Sequence, residues 1–189
     1  MNYGKNFLRK KFISLRKRKF SNKYKFPFWQ IFRLIKKHYR TKKISIAGYY
    51  PSNFEVNILK FIKLAEDKNY KIALPCIKAG HKLSFKFWKF GEPLYVSDFG
   101  ILEPKNSNRE IIPDVFLVPL VAFDKTMNRI GYGKGYYDKT LNEISKKRPN
   151  FMTIGIAYSF QKYDNIPIDN HDFKLNYIFT EQGIIHSIY

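Results

Sequence analysis

The sequence predicts an α/β fold of three layers, a mainly parallel sheet with helices on both faces. Three observations carry this. Apolar runs of strand length alternate with segments of helical period along most of the chain, the order in which crossover helices build parallel sheets. The run at 114–121, Asp-Val-Phe-Leu-Val-Pro-Leu-Val, is apolar almost throughout, as suits a strand covered on both faces. It leads into a turn with glycines at 131, 133 and 135 and then into a helical pattern. In open sheets of this kind, sites gather at the carboxyl ends of the strands.

Taken in order, Leu8, Phe12 and Leu15 recur at helical spacing, with Lys5 and Arg9 four residues apart on an adjoining face; a first amphipathic helix is expected. A second begins near Pro27, a favourable first-turn residue, and carries Phe28, Ile31, Phe32, Leu34 and Ile35 towards a basic cluster at 36–43. Residues 44–50 read as a strand closed by Pro51-Ser-Asn, and Val56, Leu59, Ile62 and Leu64 mark the next helix. Residues 71–75 are a short strand. Leu83, Phe85 and Phe87 alternate with Ser84, Lys86 and Trp88, a period of two that predicts a more exposed strand in a hairpin. Gly91, Pro93, Gly100 and Pro104 punctuate a long connection to the strand at 114–121. Beyond the glycine turn come a helix over 136–147, a strand over 152–157 and a last strand over 176–180.

At 189 residues, 44% of them apolar, the chain has material for one full hydrophobic core and is short for two. A single domain over 1–189, opening with a basic helical segment at 1–43, is expected. No apolar run approaches the roughly 18 to 20 residues that span a bilayer, which argues against a membrane protein. Cys76 is the one cysteine, so no intrachain disulfide forms, and a reducing, cytoplasmic location is expected.

The formal net charge of +20 is unevenly spread: residues 1–43 hold 16 Lys or Arg and no Asp or Glu, and 44–189 hold 19 basic and 15 acidic residues. Such an arm attracts polyanions through a field that salt screens, but charge alone does not choose among nucleic acid, anionic lipid and a polyphosphate. Lysine outnumbers arginine 27 to 8, a bias that AT-rich coding also produces, so much of this charge can belong to solvated faces. Tyr3, Phe7, Phe20, Tyr24, Phe26 and Trp29 are interleaved with the basic residues, which keeps nucleic-acid binding by base stacking as an alternative function.

The turn itself reads Arg129-Ile-Gly-Tyr-Gly-Lys-Gly-Tyr-Tyr-Asp138. Its G-x-G-x-G spacing matches neither the dinucleotide fingerprint nor the P-loop. The physics is shared, because positions without side chains let backbone N–H groups approach an anion, Arg129 and Lys134 add positive charge, and the helix that follows adds its dipole. A tight structural turn would have the same glycines. Tyr132, Tyr136, Tyr137 and Asp138 crowd the same stretch and tilt the reading towards a site, with stacking surfaces and a hard oxygen ligand suited to Mg²⁺. Other chemistry is poorly served: His38, His81, His171 and His186 show no metal-ligand spacing, and Ser159 and Ser187 lack a nucleophile elbow. Asp124 either reaches water around a metal or shapes a turn.

With Pro119-Leu-Val-Ala-Phe-Asp124, this block resembles the signature of the 5-formyltetrahydrofolate cyclo-ligase family. The resemblance extends along essentially the whole chain. Lys5-Asn-Phe-Leu-Arg9 is similar to the family's opening K-x-x-L-R element, Tyr50 and Glu55 to its folate contacts, and Asn170-His-Asp172 to the segment whose aspartate assists magnesium. It implies a Rossmann-like sheet of the cyclo-ligase and CoA-transferase kind, and an ATP- and Mg²⁺-dependent conversion of 5-formyltetrahydrofolate to 5,10-methenyltetrahydrofolate. ATP would meet Lys5, Arg9, Arg129, Ile130, Gly131, Tyr132, Gly133, Lys134, Gly135, Tyr136 and Tyr137. The reduced folate would meet Tyr50, Glu55, Tyr132 and Tyr136, the metal Asp138 and Asp172, and Arg129 and Lys134 would act on the transferring phosphoryl group. A monomer without membrane or nucleic-acid partners is implied. Two positions depart from the pattern: Met127 stands where a glycine is usual, and Asn176 where many members have an aspartate. A relative that keeps the ATP site and acts on another small substrate is the second alternative.

Overall fold

The computed structural model describes residues 3–40, 43–97 and 100–186; Thr41 and Lys42 of the basic cluster, and Ser187, lie outside the described residues. Among the described residues the elements run α1 (Lys5–Lys19), α2 (Trp29–His38), β1 (Ser45–Ala47), α3 (Leu59–Asp67), β2 (Lys71–Lys78), β3 (Lys82–Phe87), β4 (Tyr95–Val96), β5 (Leu102–Glu103), β6 (Glu110–Ile111), β7 (Val115–Pro119), β8 (Ala122–Phe123), β9 (Arg129–Ile130), α4 (Tyr136–Lys147), β10 (Met152–Ile156), a 3-10 turn at Ser159–Gln161, β11 (Tyr177–Thr180) and β12 (Gly183–His186).

Eight strands form the main sheet in the order β12-β11-β10-β7-β1-β2-β3-β6. The central strands β11, β10, β7, β1 and β2 run parallel, and β12, β3 and β6 add antiparallel edges. Alternation along the strands separates two cores. Ile46, Ile72, Val115, Leu117, Met152 and Ile154 turn to one face, where they meet Ile31 and Ile35 of α2 and Phe61 and Ile62 of α3. Ala47, Ala73, Phe116 and Val118 turn to the other and meet Leu141 of α4. The fold is therefore the expected mainly parallel α/β sheet with helices on both faces. α1 docks elsewhere: Leu8 and Phe12 pack on Val121, Ala122 and Ile130 of the β8–β9 ribbon, a cluster of its own beyond the end of β7.

Several boundaries differ from the sequence expectation for identifiable reasons. The strand expected at 44–50 is three residues long, because beyond Gly48, whose N–H still bonds Ala73 O at 2.9 Å, the chain turns away to build a loop. The next helix begins at Leu59 rather than near Val56, with Asn57 Oδ1 accepting from Leu59 N at 3.0 Å. The run at 114–121 divides into β7 and the start of a second ribbon, where Val121 N donates to Ile130 O at 2.7 Å. Two short elements, the β4–β5 hairpin and β6, lie within the long connection, and β12 folds back on β11.

The period-two stretch at 83–88 is a hairpin strand, but it is not the more exposed strand that alternation implied. Ser84 and Lys86 are buried along with Phe85 and Trp88. The segment after β3 folds across this face: Lys86 Nζ donates to Asn106 O at 2.6 Å, and Ile77 N donates to Glu103 Oε1 at 3.0 Å. A polar residue thus lies inside because a later loop supplies its partners, and period alone carries no information about such a cover. Cys76 is also buried on this sheet edge, and burial pushes its thiol up to about 11, leaving it inert.

Asp114 joins the parallel strands at their amino ends. Its Oδ2 accepts from Ser45 N and Oγ at 2.8 and 2.7 Å, and its Oδ1 accepts from Arg148 at the end of α4. At the other end of β10, close packing demands glycine. A Cβ on Gly155 would lie 2.6 Å from Ile178 Cδ1 and 2.7 Å from both Leu120 Cδ2 and Leu175 Cδ1. Gly155→Ala is therefore expected to cost roughly 1–3 kcal/mol of stability through overpacking. A thermal melt should show Tm lower by several degrees, at about 2–4 °C per kcal/mol.

Candidate functional site

At the carboxyl end of β7 the chain forms the β8–β9 ribbon. Asp124 shapes its tip: Oδ1 accepts from Thr126 N, Thr126 Oγ1 and Asn128 N at 2.8–3.0 Å, and Oδ2 accepts from Asn128 Nδ2 at 3.0 Å. This is the turn-forming role. Met127 holds a left-handed backbone, φ 68°, with its side chain buried in the core beside α4. A glycine would take that φ freely, so the methionine exchanges backbone ease for buried apolar surface. Its carbonyl accepts from Leu175 N at 3.1 Å, tying the tip to the entry of β11.

The glycine turn then crosses from β9 to α4. Gly133 and Gly135 adopt φ 97° and 69°, and Gly135 is the N-cap residue of α4 with no side chain capping it. The helix therefore opens with unpaired N–H groups and the positive end of its dipole facing the turn. Arg129 is nearly sealed in β9, where Nη2 donates to Asp138 Oδ1 at 2.7 Å and Nη1 to Phe173 O at 2.5 Å. Asp138 Oδ1 also accepts from Phe173 N at 3.0 Å. Lys134 is exposed in the turn, Ile130 is buried under α1, and Tyr136 stacks on His81 with ring centroids 5.8 Å apart.

α1 brings its cations to the same place. Arg9 Nε donates to Gly131 O at 3.0 Å, and a Cβ on Gly133 would stand 3.2 Å from the Arg9 guanidinium carbon, a tight approach at a backbone φ of 97° that itself favours glycine. Lys5 Nζ lies 2.6 Å from Asp169 Oδ2 and 2.5 Å from Asp172 Oδ2. Partial burial alone would lower the Lys5 ammonium's pKa, but its bonds to the two aspartates outweigh this and raise it. Asp169, His171 and Asp172 place one ligand atom each within 4.8 Å of one another, the arrangement that can hold a cation. Asp138 is not part of that cluster. Histidine spacing in the sequence did not disclose His171, whose partners are carboxylates one and two residues away.

The expected substrate contacts lie at the carboxyl end of β1. Glu55 is buried: Oε1 accepts from Tyr132 Oη at 2.7 Å and Oε2 from Ser52 N at 2.9 Å. Burial raises its pKa, opposed by the Ser52 and Tyr132 bonds and by the charge of Arg16. Arg16, the surprise of α1, is 1% exposed, and its Nη2 donates to the Tyr132 hydroxyl. Tyr49 and Tyr137 enclose the same carboxylate, and burial, then Glu55, raises the pKa of both phenols. The Tyr137 hydroxyl has no partner among the described residues. Tyr50 is exposed and lines a groove of about 390 Å³ with Leu59, Trp88, Phe90, Leu94 and Leu102.

Lys5, Arg9, Arg129, the three glycines, Tyr132 and Asp138 therefore converge with Asp172 around one turn, and Glu55 joins them through Tyr132. Arg16 and Asp169 escaped sequence reasoning. Arg16 did leave a signal: it lies four residues after Phe12, where the helical stripe calls for an apolar side chain. The aromatic residues offered for base stacking are partly used up, since Tyr24 and Phe26 pack against the core and Tyr3 and Phe7 stack on each other.

Residues 3–181 match the sequence pattern of the 5-formyltetrahydrofolate cyclo-ligase family. The chain is 34% identical over 137 residues to a 5-formyltetrahydrofolate cyclo-ligase of Haemophilus influenzae, covering 69% of this chain and 72% of that one. It is 30% identical over 163 residues to a probable 5-formyltetrahydrofolate cyclo-ligase of Schizosaccharomyces pombe, covering 79% of each. Its fold superposes on the solved structure of Aquifex aeolicus 5,10-methenyltetrahydrofolate synthetase with a TM-score of 0.75 and 28% identity, covering 98% of this chain and 93% of that one. The arrangement of helix α1, glycine turn and β1 loop thus sits on a shared fold and a shared sequence pattern, and the chain belongs to the 5-formyltetrahydrofolate cyclo-ligase family.

Proposed function

We propose that the protein converts 5-formyltetrahydrofolate to 5,10-methenyltetrahydrofolate using ATP and Mg²⁺, with release of ADP and phosphate. One observation carries the reading: Arg9 from α1 meets the G-x-G-x-G turn and Lys5 meets the acidic cluster of Asp169 and Asp172, while Glu55 from the β1 loop reaches the same turn through Tyr132. A polyanion and an N–H-rich ring are thereby given adjoining places.

The formyl oxygen attacks the γ-phosphorus and ADP leaves. N10 then adds to the activated carbon and loses its proton, and phosphate departs with the former formyl oxygen. Arg9, Lys5, Lys134 and the amides opening α4 neutralise triphosphate charge. Arg129, fixed by Asp138 and Phe173, presents its guanidinium from a buried position and loses little freedom on binding. Glu55 accepts N–H groups of the pterin end, Tyr50 and Tyr136 bound its ring, and the tyrosine cluster excludes water. The hard oxygens of Asp172, Asp169 and Asp138 suit Mg²⁺, which would supply neutralisation of the phosphate charge. Both bonds of Asp138 fall on Oδ1, so Oδ2 is the oxygen left for a cation among the described residues. Lys5 already holds a positive charge against Asp169 and Asp172, so these carboxylates would hold a cation in place of the ammonium, and Lys5 would then bind phosphate.

Purified protein with 5-formyltetrahydrofolate, ATP and Mg²⁺ is expected to develop the near-ultraviolet absorbance of the methenyl product. Asp138→Asn should lower the rate at least about 100-fold, the scale of losing one preorganised electrostatic group; a full rate in that variant removes Asp138 from the site. Chelating Mg²⁺ should abolish turnover reversibly, and turnover that persists in excess chelator would contradict the metal requirement. Glu55→Gln is expected to raise KM for the folate about tenfold or more, the worth of one charged hydrogen bond. ATP affinity, followed by equilibrium binding, should stay within about twofold.

A further inference from the structure

We propose that Arg16 is a positioning residue: it fixes the Tyr132 hydroxyl as a donor to Glu55, so that this carboxylate meets the substrate as a charged acceptor of set orientation. The proposal rests on Glu55 being a substrate contact, and it assigns a role to a helix residue that touches neither substrate nor nucleotide.

A guanidinium taken out of water is costly and persists where fixed partners receive it. Arg16 has three. Nη1 donates to Leu120 O at 3.3 Å, Nη2 donates to the Tyr132 hydroxyl, and the guanidinium lies 5.5 Å from the centre of the Tyr132 ring. Nε is buried without a partner among the described residues, so helix packing alone does not account for the group. A hydroxyl that accepts from a cation is a stronger donor to its next partner. Tyr132 passes its proton side to Glu55 Oε1 at 2.7 Å, completing a chain from α1 through the glycine turn to the β1 loop.

The groups facing Glu55 come from every neighbouring element: Ser52 from its own loop, Tyr49 from the exit of β1, Tyr132 from the turn, Tyr137 from the first turn of α4 and Arg16 from α1. Arg16 brings positive charge to this carboxylate. Burial raises the Glu55 pKa, and Arg16 and its tyrosine oppose that rise. Without them the carboxylate would hold its proton to higher pH and offer a hydroxyl where the substrate N–H groups need an acceptor.

The test is the titration of Glu55 in ligand-free protein carrying ¹³C-labelled glutamate carboxyls, its resonance identified by loss in Glu55→Gln. Arg16→Gln is expected to move the midpoint up by about one pH unit, the usual reach of a nearby charge, and Tyr132→Phe should do the same. The double variant should shift no further than either single one, because both act along one chain. Arg16→Lys, which keeps the charge, should recover part of the shift. In turnover at fixed pH, Arg16→Gln should raise KM for 5-formyltetrahydrofolate about tenfold while kcat and ATP affinity stay within about twofold. An unmoved midpoint in folded Arg16→Gln, or fully additive shifts in the double variant, overturns the proposal. If Arg16→Gln does not fold, Tyr132→Phe and Arg16→Lys decide it, and an unmoved midpoint in Tyr132→Phe overturns it. A wild type that fails to convert 5-formyltetrahydrofolate overturns the substrate reading instead, and the carboxylate titration still decides whether the chain from Arg16 exists.

Discussion

The docking of α1 across the carboxyl edge of the sheet is the contact on which the arrangement of the site depends. Leu8 and Phe12 are buried on the β8–β9 ribbon, each worth roughly 1.5–3 kcal/mol of apolar transfer. That apolar seam places three cations one helical turn or two apart: Lys5 at the acidic cluster, Arg9 on the glycine turn and Arg16 beneath Tyr132. A helix with little apolar surface elsewhere is thus held where its charges have work. Most of the remaining basic residues of the arm stay on solvated faces, so the net charge of the chain overstates what the site uses.

The site balances charge on two sides. Its anion-receiving side combines the opening of α4, free of a side-chain cap, with Arg9 and the buried Arg129. Its cation-receiving side is the acidic cluster around Asp172, compensated by Lys5. Arg9, Arg129, Lys5 and Asp172 each already have a partner of opposite sign or a carbonyl, which keeps these groups satisfied in the ligand-free state. Binding then becomes an exchange of partners rather than an unassisted desolvation. Asp138 shows the same economy, for a single oxygen locks both Arg129 and the backbone of Phe173.

The two departures from the family pattern have separate consequences. Asn176 Oδ1 accepts from Thr153 N and Oγ1 at 2.7 and 2.9 Å, so this side chain registers β10 against the start of β11. Met127 accepts an unfavourable φ at the ribbon tip and returns a buried side chain to the core under α4. Neither position removes a group from the turn, and Met127 couples the loop beside it to the packing of the second core.

Local patterning determined the parallel α/β layering, the bounds 136–147 of α4, the glycine turn and the charged residues of α1 that meet it, because periodicity and glycine placement are properties of neighbouring residues. Tertiary structure alone decided that Arg16 lies inside, that Lys86 is covered by a later loop and that Asp169 joins Asp172 around Lys5. In each case the deciding partner comes from a distant part of the chain: Tyr132 for Arg16, Asn106 for Lys86, Lys5 for Asp169. A charged side chain is as readily solvated as buried until a fixed partner repays its desolvation, and sequence spacing does not contain that partner's position.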